Sequence, residues 1–220
     1  MNLSFPEQFV LFCKENIKIT DSNIQYQSLP ICIIDCVYSL RTKYNSVTIP
    51  IVHRYAKKFL GADISNSDDT ISNFIDHLNA VGLSHFADKI VCNHQVLGGK
   101  AKIPKENVCL KIATYLKCLN IETLDDFRNY AYPELLEIVL RGVKGLGDAG
   151  VNYLFMLAGD KNRCKPDVHI HRSIKDACGC DVSNIECQLI YTEAVSILKN
   201  DYPNLTVRDL DYAVWSHYSS

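Results

Sequence analysis

Two apolar runs at helical spacing are separated only by Gly142-Val-Lys-Gly-Leu-Gly147, so the chain must leave one helix and enter another through a single tight turn. Upstream, Tyr132-Pro-Glu-Leu-Leu-Glu-Ile-Val-Leu-Arg141 places Leu135, Leu136, Val139 and Leu140 on one stripe, with Pro133 where a first helical turn tolerates it. Gly142 fits the left-handed residue that ends such a helix. Gly145 and Gly147 bracket Leu146 in a turn whose backbone can approach a ligand closely. A second helix starts near Asp148 and runs through Val151, Leu154, Phe155 and Leu157 to Gly159. Unpaired amides at its start, reinforced by the helix dipole, suit a phosphate oxygen, the chemistry of a sequence-independent grip on a nucleic-acid backbone.

The other segments repeat the helical period. Residues 7–18 form a short helix, and 22–29 a polar connection. In residues 31–60, Ile33, Val37 and Leu40 define a largely buried helix, and Pro50 opens another carrying Val52, Tyr55, Ala56 and Phe59. Asp35 stands inside the first, either lining a pocket or satisfied by local bonds. Residues 69–81 follow with Asp68 or Asp69 as cap. Residues 89–105 read as a loop in which glycines and Lys100, Lys102 and Lys105 suit contact with a phosphate backbone. Pro104 opens the next helix, Thr123 or Asp125 caps a short one, and periodic segments after Asp167, at 185–198 and at 207–218 complete the chain. Strand-like alternation is scarce, so the fold class is all-α.

At 220 residues, 47% hydrophobic and 22% charged, the chain buries a core as one domain or two small joined ones. The net charge of −2 does not announce a nucleic-acid binder. Residues 141–175 differ, carrying seven basic against three acidic side chains. The start of the chain lacks a basic segment followed by an apolar core, and no apolar run reaches membrane length. The ten cysteines are therefore expected to be reduced and mostly buried in a cytoplasmic protein, nucleoid-associated in a bacterium, with no membrane partner.

Val143-Lys-Gly-Leu-Gly-Asp148 resembles the helix-hairpin-helix element of the HhH-GPD superfamily of DNA glycosylases, which includes the endonuclease III and 3-methyladenine glycosylase types. Lys165-Pro-Asp-Val-His-Ile-His-Arg172 resembles the segment that delivers that superfamily's catalytic aspartate, and the matching residue is Asp167. The resemblance implies an all-α HhH-GPD fold of two helical subdomains with a cleft between them: residues 30–150, ending in the hairpin, and residues 1–29 with 151–220. It implies double-stranded DNA as partner to a monomer. Val143, Lys144, Gly145, Leu146, Gly147 and Asp148 would meet the backbone, with Lys100, Lys102 and Arg172 as further contacts.

Val37-Tyr-Ser-Leu-Arg-Thr42 resembles the end of the superfamily's early helix, which makes Arg41 the wedge that fills the space of an extruded base; the alternative is a surface arginine at a helix end. Tyr38, Tyr153 and Trp215 are candidates to hold the flipped base or are core aromatics. His169 belongs with them, tuning Asp167 or meeting phosphate, and His171 shares that choice.

The resemblance implies that Asp167 stabilises the positive charge that develops on the sugar as an N-glycosidic bond breaks. Asp167 also stands where an N-cap would, and the two roles are compatible. Members that also cut the strand carry a lysine where this chain has Ala149, so the expected enzyme is monofunctional, with water as nucleophile. Cys164 precedes Asp167, and Cys178, Cys180 and Cys187 follow it at spacings unlike the cluster loop of iron–sulfur members. No metal or cofactor is expected. Two further readings stay open: a non-catalytic helix-hairpin-helix DNA-binding protein, and a helical partner-binding domain.

Overall fold

A computed structural model describes residues 3–20, 26–65 and 69–219. Among these residues the chain is mostly helical, with one short antiparallel sheet, β1 (Val96–Leu97) with β2 (Ile103–Pro104). It divides into two compact units. The terminal unit, Met1–Ile24 with Gly159–Ser220, holds α1 (Phe5–Asn16), α10 (Val168–Cys178), α11 (Asn184–Leu198) and α12 (Val207–Tyr218). The central unit, Gln25–Ala158, holds α2 (Leu29–Ser39), α3 (Ile49–Phe59), α4 (Ile71–Val81), α5 (Leu83–His85), α6 (Lys105–Cys118), α7 (Leu124–Arg128), α8 (Pro133–Arg141) and α9 (Gly147–Leu157). The second boundary falls at 158/159 instead of the expected 150/151, because α9 packs on α2 and carries residues 151–158 into the central unit.

The central unit is organised around α2, every residue of which is buried. It packs against α3, α6 and α9, so its sequence has no polar stripe. The approach of α9 is close: the Cys36 thiol donates to the Gly150 carbonyl at 3.1 Å, and a Cβ on Gly150 would stand 2.6 Å from Leu146 Cδ1 and 3.3 Å from Leu40 Cδ1. In the terminal unit, Phe9 and Cys13 of α1 pack with Ile170 and Ile174 of α10, Tyr191 of α11 and Leu210 of α12. Tyr191 and Ser173 share a hydrogen bond at 3.0 Å inside this core.

Four local expectations are corrected. Gly142 is right-handed (φ −69°), and the left-handed glycines of the turn are Gly145 (φ +101°) and Gly147 (φ +65°). Of the expected α8 stripe, Leu136 and Leu140 are buried, whereas Leu135 is exposed. Thr70 caps α4, while the Asp69 carboxylate turns inward to accept from Tyr55 Oη at 2.9 Å. Asp68 and residues 22–25 of the expected connection lie outside the described residues. Finally, the basic loop contains the β1–β2 hairpin, and Lys105 is not one of its exposed lysines.

Lys105 is 1% exposed. Its ammonium donates to the carbonyls of Tyr38 (3.1 Å) and Leu40 (2.8 Å) and to Gln95 Oε1 (3.1 Å). The last carbonyls of a buried helix have no water to turn to, and a cation at the negative end of the dipole satisfies both needs. Lys105→Met keeps the apolar stem and removes the donors, leaving these acceptors unpaired. It is expected to destabilise by about 2 kcal/mol or more in denaturant unfolding, while exposed Lys100→Met changes stability by less than about 0.5 kcal/mol.

Candidate functional site

The turn between α8 and α9 is anchored from inside. Val143 and Leu146 are buried, the Val143 amide donates to the Leu140 carbonyl at 3.0 Å, and the Leu146 amide donates to the Val143 carbonyl at 3.1 Å. These two residues therefore offer neither side chain nor amide to a ligand, and their part is to seat the turn. Lys144 and Gly147 are exposed and Gly145 is half-buried, and their three amides have no acceptor among the described residues. The Asp148 carboxylate is paired with the Arg141 guanidinium, which also bonds Glu137 Oε1 at 2.8 Å, so the carboxylate at the turn is neutralised in place.

Two other expected contacts flank this turn within the central unit. A Cβ on Gly145 would meet Leu97 Cβ at 3.1 Å and the Gly98 amide nitrogen at 3.7 Å, so the turn lies against the hairpin that carries exposed Lys100 and Lys102. Leu40, which approaches Gly150 on the other side, immediately precedes Arg41. Arg41 is exposed with left-handed backbone (φ +58°) and follows directly on the pinned end of α2. The exposed cations Arg41, Lys100, Lys102 and Lys144 thus belong to segments gathered around one glycine turn.

The proposed base-holding residues of the central unit are placed differently. Tyr38 is wholly buried beside Lys105, Glu106 and Cys109, with no hydrogen-bond partner for its hydroxyl among the described residues; it is a core residue, and the expectation that it lines an open pocket is corrected. Tyr153 is half-buried in a phenol–carboxylate cluster in which Asp35 Oδ2 accepts from Tyr26 Oη and Tyr44 Oη, each at 2.7 Å, and Tyr153 bonds Tyr44. Burial, and then the charge of Asp35, push the Tyr26, Tyr44 and Tyr153 phenols above their ordinary range. Asp35 thus gathers two phenols on its Oδ2.

In the terminal unit, Asp167 is half-buried and caps α10: Oδ1 accepts from the His169 amide at 2.9 Å and the Ile170 amide at 3.3 Å. Oδ2 has no partner among the described residues. Across Pro166, the Asp167 amide donates to the Lys165 carbonyl at 2.6 Å, closing a tight turn. His169 is half-buried, with its ring 6.4 Å from that of Tyr218, and Arg172 lies 5.8 Å above the same ring. Trp215 is half-buried and stacked on Tyr212 at 6.0 Å.

One acidic residue at this site was not singled out by sequence reasoning. Asp211 of α12 is 7% exposed, and its Oδ1 accepts from the Lys165 amide at 2.7 Å. Burial, and then the charge of Asp167, push it up to about 8, against the opposing pull of the Lys165 amide and of the Lys165 and Arg208 charges. The available signal was positional: Asp211 shares the buried stripe of Val207 and Val214.

A Cys–His–Asn alignment occurs nearby, with His171 Nδ1 3.6 Å from Cys187 Sγ and His171 Nε2 2.9 Å from Asn184 Oδ1. Cys187 has no exposed surface, and burial pushes its thiol up to about 11, the opposite of an activated nucleophile. All ten cysteines are free thiols, and among the described residues no group of three His, Cys, Asp or Glu is disposed to hold a metal ion. No described helix is long and apolar enough to cross a membrane.

The chain belongs to the family described as Domain of unknown function (DUF8548), matched over residues 9–219. No curated protein and no solved structure matches it.

The cap at Asp167 makes a separable prediction. Asp167→Ala removes both capping bonds and is expected to cost about 1 kcal/mol in chemical denaturation, whereas Asp167→Asn retains an acceptor and costs less than about half of that. Equal losses would show that the cap contributes nothing.

Proposed function

We propose that this protein is a monofunctional DNA glycosylase that hydrolyses the N-glycosidic bond of a damaged or modified base in double-stranded DNA. The observation that carries the reading is Asp167: a residue expected at that position from the sequence motif caps α10 through one carboxyl oxygen and leaves the other without a partner among the described residues. A carboxylate oriented in this way suits the chemistry. As the bond from C1′ to the base nitrogen lengthens, the base leaves with the electron pair and the sugar becomes cationic, and a fixed negative charge stabilises that transition state. Water then forms the new bond at C1′ and gives up a proton, with the carboxylate as acceptor or orienting group. Ala149 offers no amine to take the place of water, so the product is an abasic site and the strand stays whole.

The central unit supplies the grip in this reading. The amides of Lys144, Gly145 and Gly147 at the start of α9 suit phosphate oxygens, and Arg41, Lys100, Lys102 and Lys144 add positive charge around them. A flipped base would be met by residues other than the enclosed Tyr38.

The second reading, DNA binding without chemistry, is favoured by the capping bonds, which give Asp167 a structural reason to be an acid. A panel of duplexes, each with one altered base, incubated with protein and then treated with alkali, separates the two. Wild type is expected to yield alkali-dependent cleavage on at least one duplex, and Asp167→Asn to lower it by at least about a hundredfold with duplex affinity unchanged. An intact panel with tight binding supports the second reading and sinks the first. Strand scission without alkali, or a borohydride-trapped adduct, rules out the monofunctional assignment. Lys144→Glu is expected to weaken duplex binding and to reduce the slope of log affinity against log salt by about one or more, as loss of a phosphate contact demands.

A further inference from the structure

We propose that Asp211 is the positioning residue for Asp167: its carboxyl anchors the Lys165 amide and thereby the Lys165-Pro166-Asp167 turn that presents the Asp167 carboxylate. The functional consequence rests on the glycosylase reading above, whereas the anchoring does not. The geometry is a relay through one residue. The Lys165 amide donates to Asp211 Oδ1 at 2.7 Å, and the Lys165 carbonyl accepts from the Asp167 amide at 2.6 Å. Pro166 has no amide of its own, so the turn has one fewer donor with which to fix itself. The partner in α12 supplies a tertiary fixing point where the local chain has few.

Asp211 is also held in its protonated form. Asp211 faces Asp167 and Lys165 from the turn, Cys164 just before it, Tyr191 from α11 and Arg208 from its own helix. Burial and the Asp167 charge keep its proton on up to about pH 8. Below that pH, Asp211 therefore adds no second negative charge beside Asp167. A folded chain that holds a proton which the unfolded chain releases near 3.8 is most stabilised by it below that value, and this contribution is lost as pH rises through about 8.

The experiment combines carboxyl-carbon NMR of aspartate-labelled protein with kinetics. In wild type, the Asp211 signal is expected to show a titration step near pH 8. Asp211→Asn, which keeps an acceptor for the Lys165 amide, is expected to abolish that step and to flatten the fall in stability between about pH 4 and 8. Its Lys165 amide exchange should match wild type. Asp211→Leu removes the acceptor and is expected to speed that exchange at least tenfold. It should also lower base release at least tenfold at neutral pH, with Asp211→Asn within about threefold of wild type.

In the Asp167→Asn background, Asp211→Leu should cost no further activity, because its effect acts through Asp167. An Asp211 signal titrating below pH 5 in the folded protein, unchanged Lys165 exchange in Asp211→Leu, or an additive loss in the double variant would overturn the proposal. A wild type inactive on every duplex but showing the Asp211 titration and the exchange response would defeat the glycosylase reading and leave the anchoring intact.

Discussion

A buried helix must end somewhere, and its last carbonyls cannot be left dry. In the central unit this constraint falls on α2, which is enclosed along its whole length, and the ammonium of Lys105 meets it by accepting burial in return for three oxygen partners. The arrangement ties the end of α2 to the start of α6 and to Gln95 before the β1–β2 hairpin. Beside that knot stand the left-handed Arg41 and Leu40, which lies against α9. The glycine turn at residues 142–147 is seated on the same framework, because a Cβ on Gly145 would stand only 3.1 Å from Leu97 Cβ and the residue has a left-handed backbone (φ +101°).

The terminal unit meets the converse constraint. The Lys165 amide needs an acceptor in a turn that proline deprives of a donor, and Asp211 provides it from α12. Placing a carboxyl group there is tolerable because the group holds its proton when buried next to a second acid. Asp167 meanwhile satisfies two amides of α10 with one oxygen. Structural and chemical roles are therefore not rivals at this residue: the cap is what orients the carboxylate, and an oriented carboxylate is what the proposed hydrolysis requires.

Much of this was legible in the chain because helical period and capping are local. The ranges of α8 and α12, the cap at Thr123 and the acid at the start of α10 follow from neighbours within a few residues. The misreadings share one cause. Gly142 was expected to be left-handed from a helix-end rule, yet the reversal is made at Gly145, which lies against Leu97, and at Gly147. Asp69 was expected to cap, but Tyr55 draws its carboxylate inward and Thr70 takes the cap. Lys105 sat among loop lysines that otherwise remain exposed, and Tyr38 among aromatics that equally suit a pocket or a core.

By itself, then, the sequence determined the all-α character, the helix–turn–helix at residues 133–157, the acid capping α10 and membership of a family spanning residues 9–219, since each depends on residue order over short distances or on overall similarity. Tertiary structure alone decided that Lys105 and Tyr38 are interior, that the tyrosines close around Asp35, and that Asp211 reaches Lys165 from a position 46 residues away in the chain. The reason is physical: burial, and with it the meaning of a charged or polar side chain, is set by segments remote in sequence that remove water from around it.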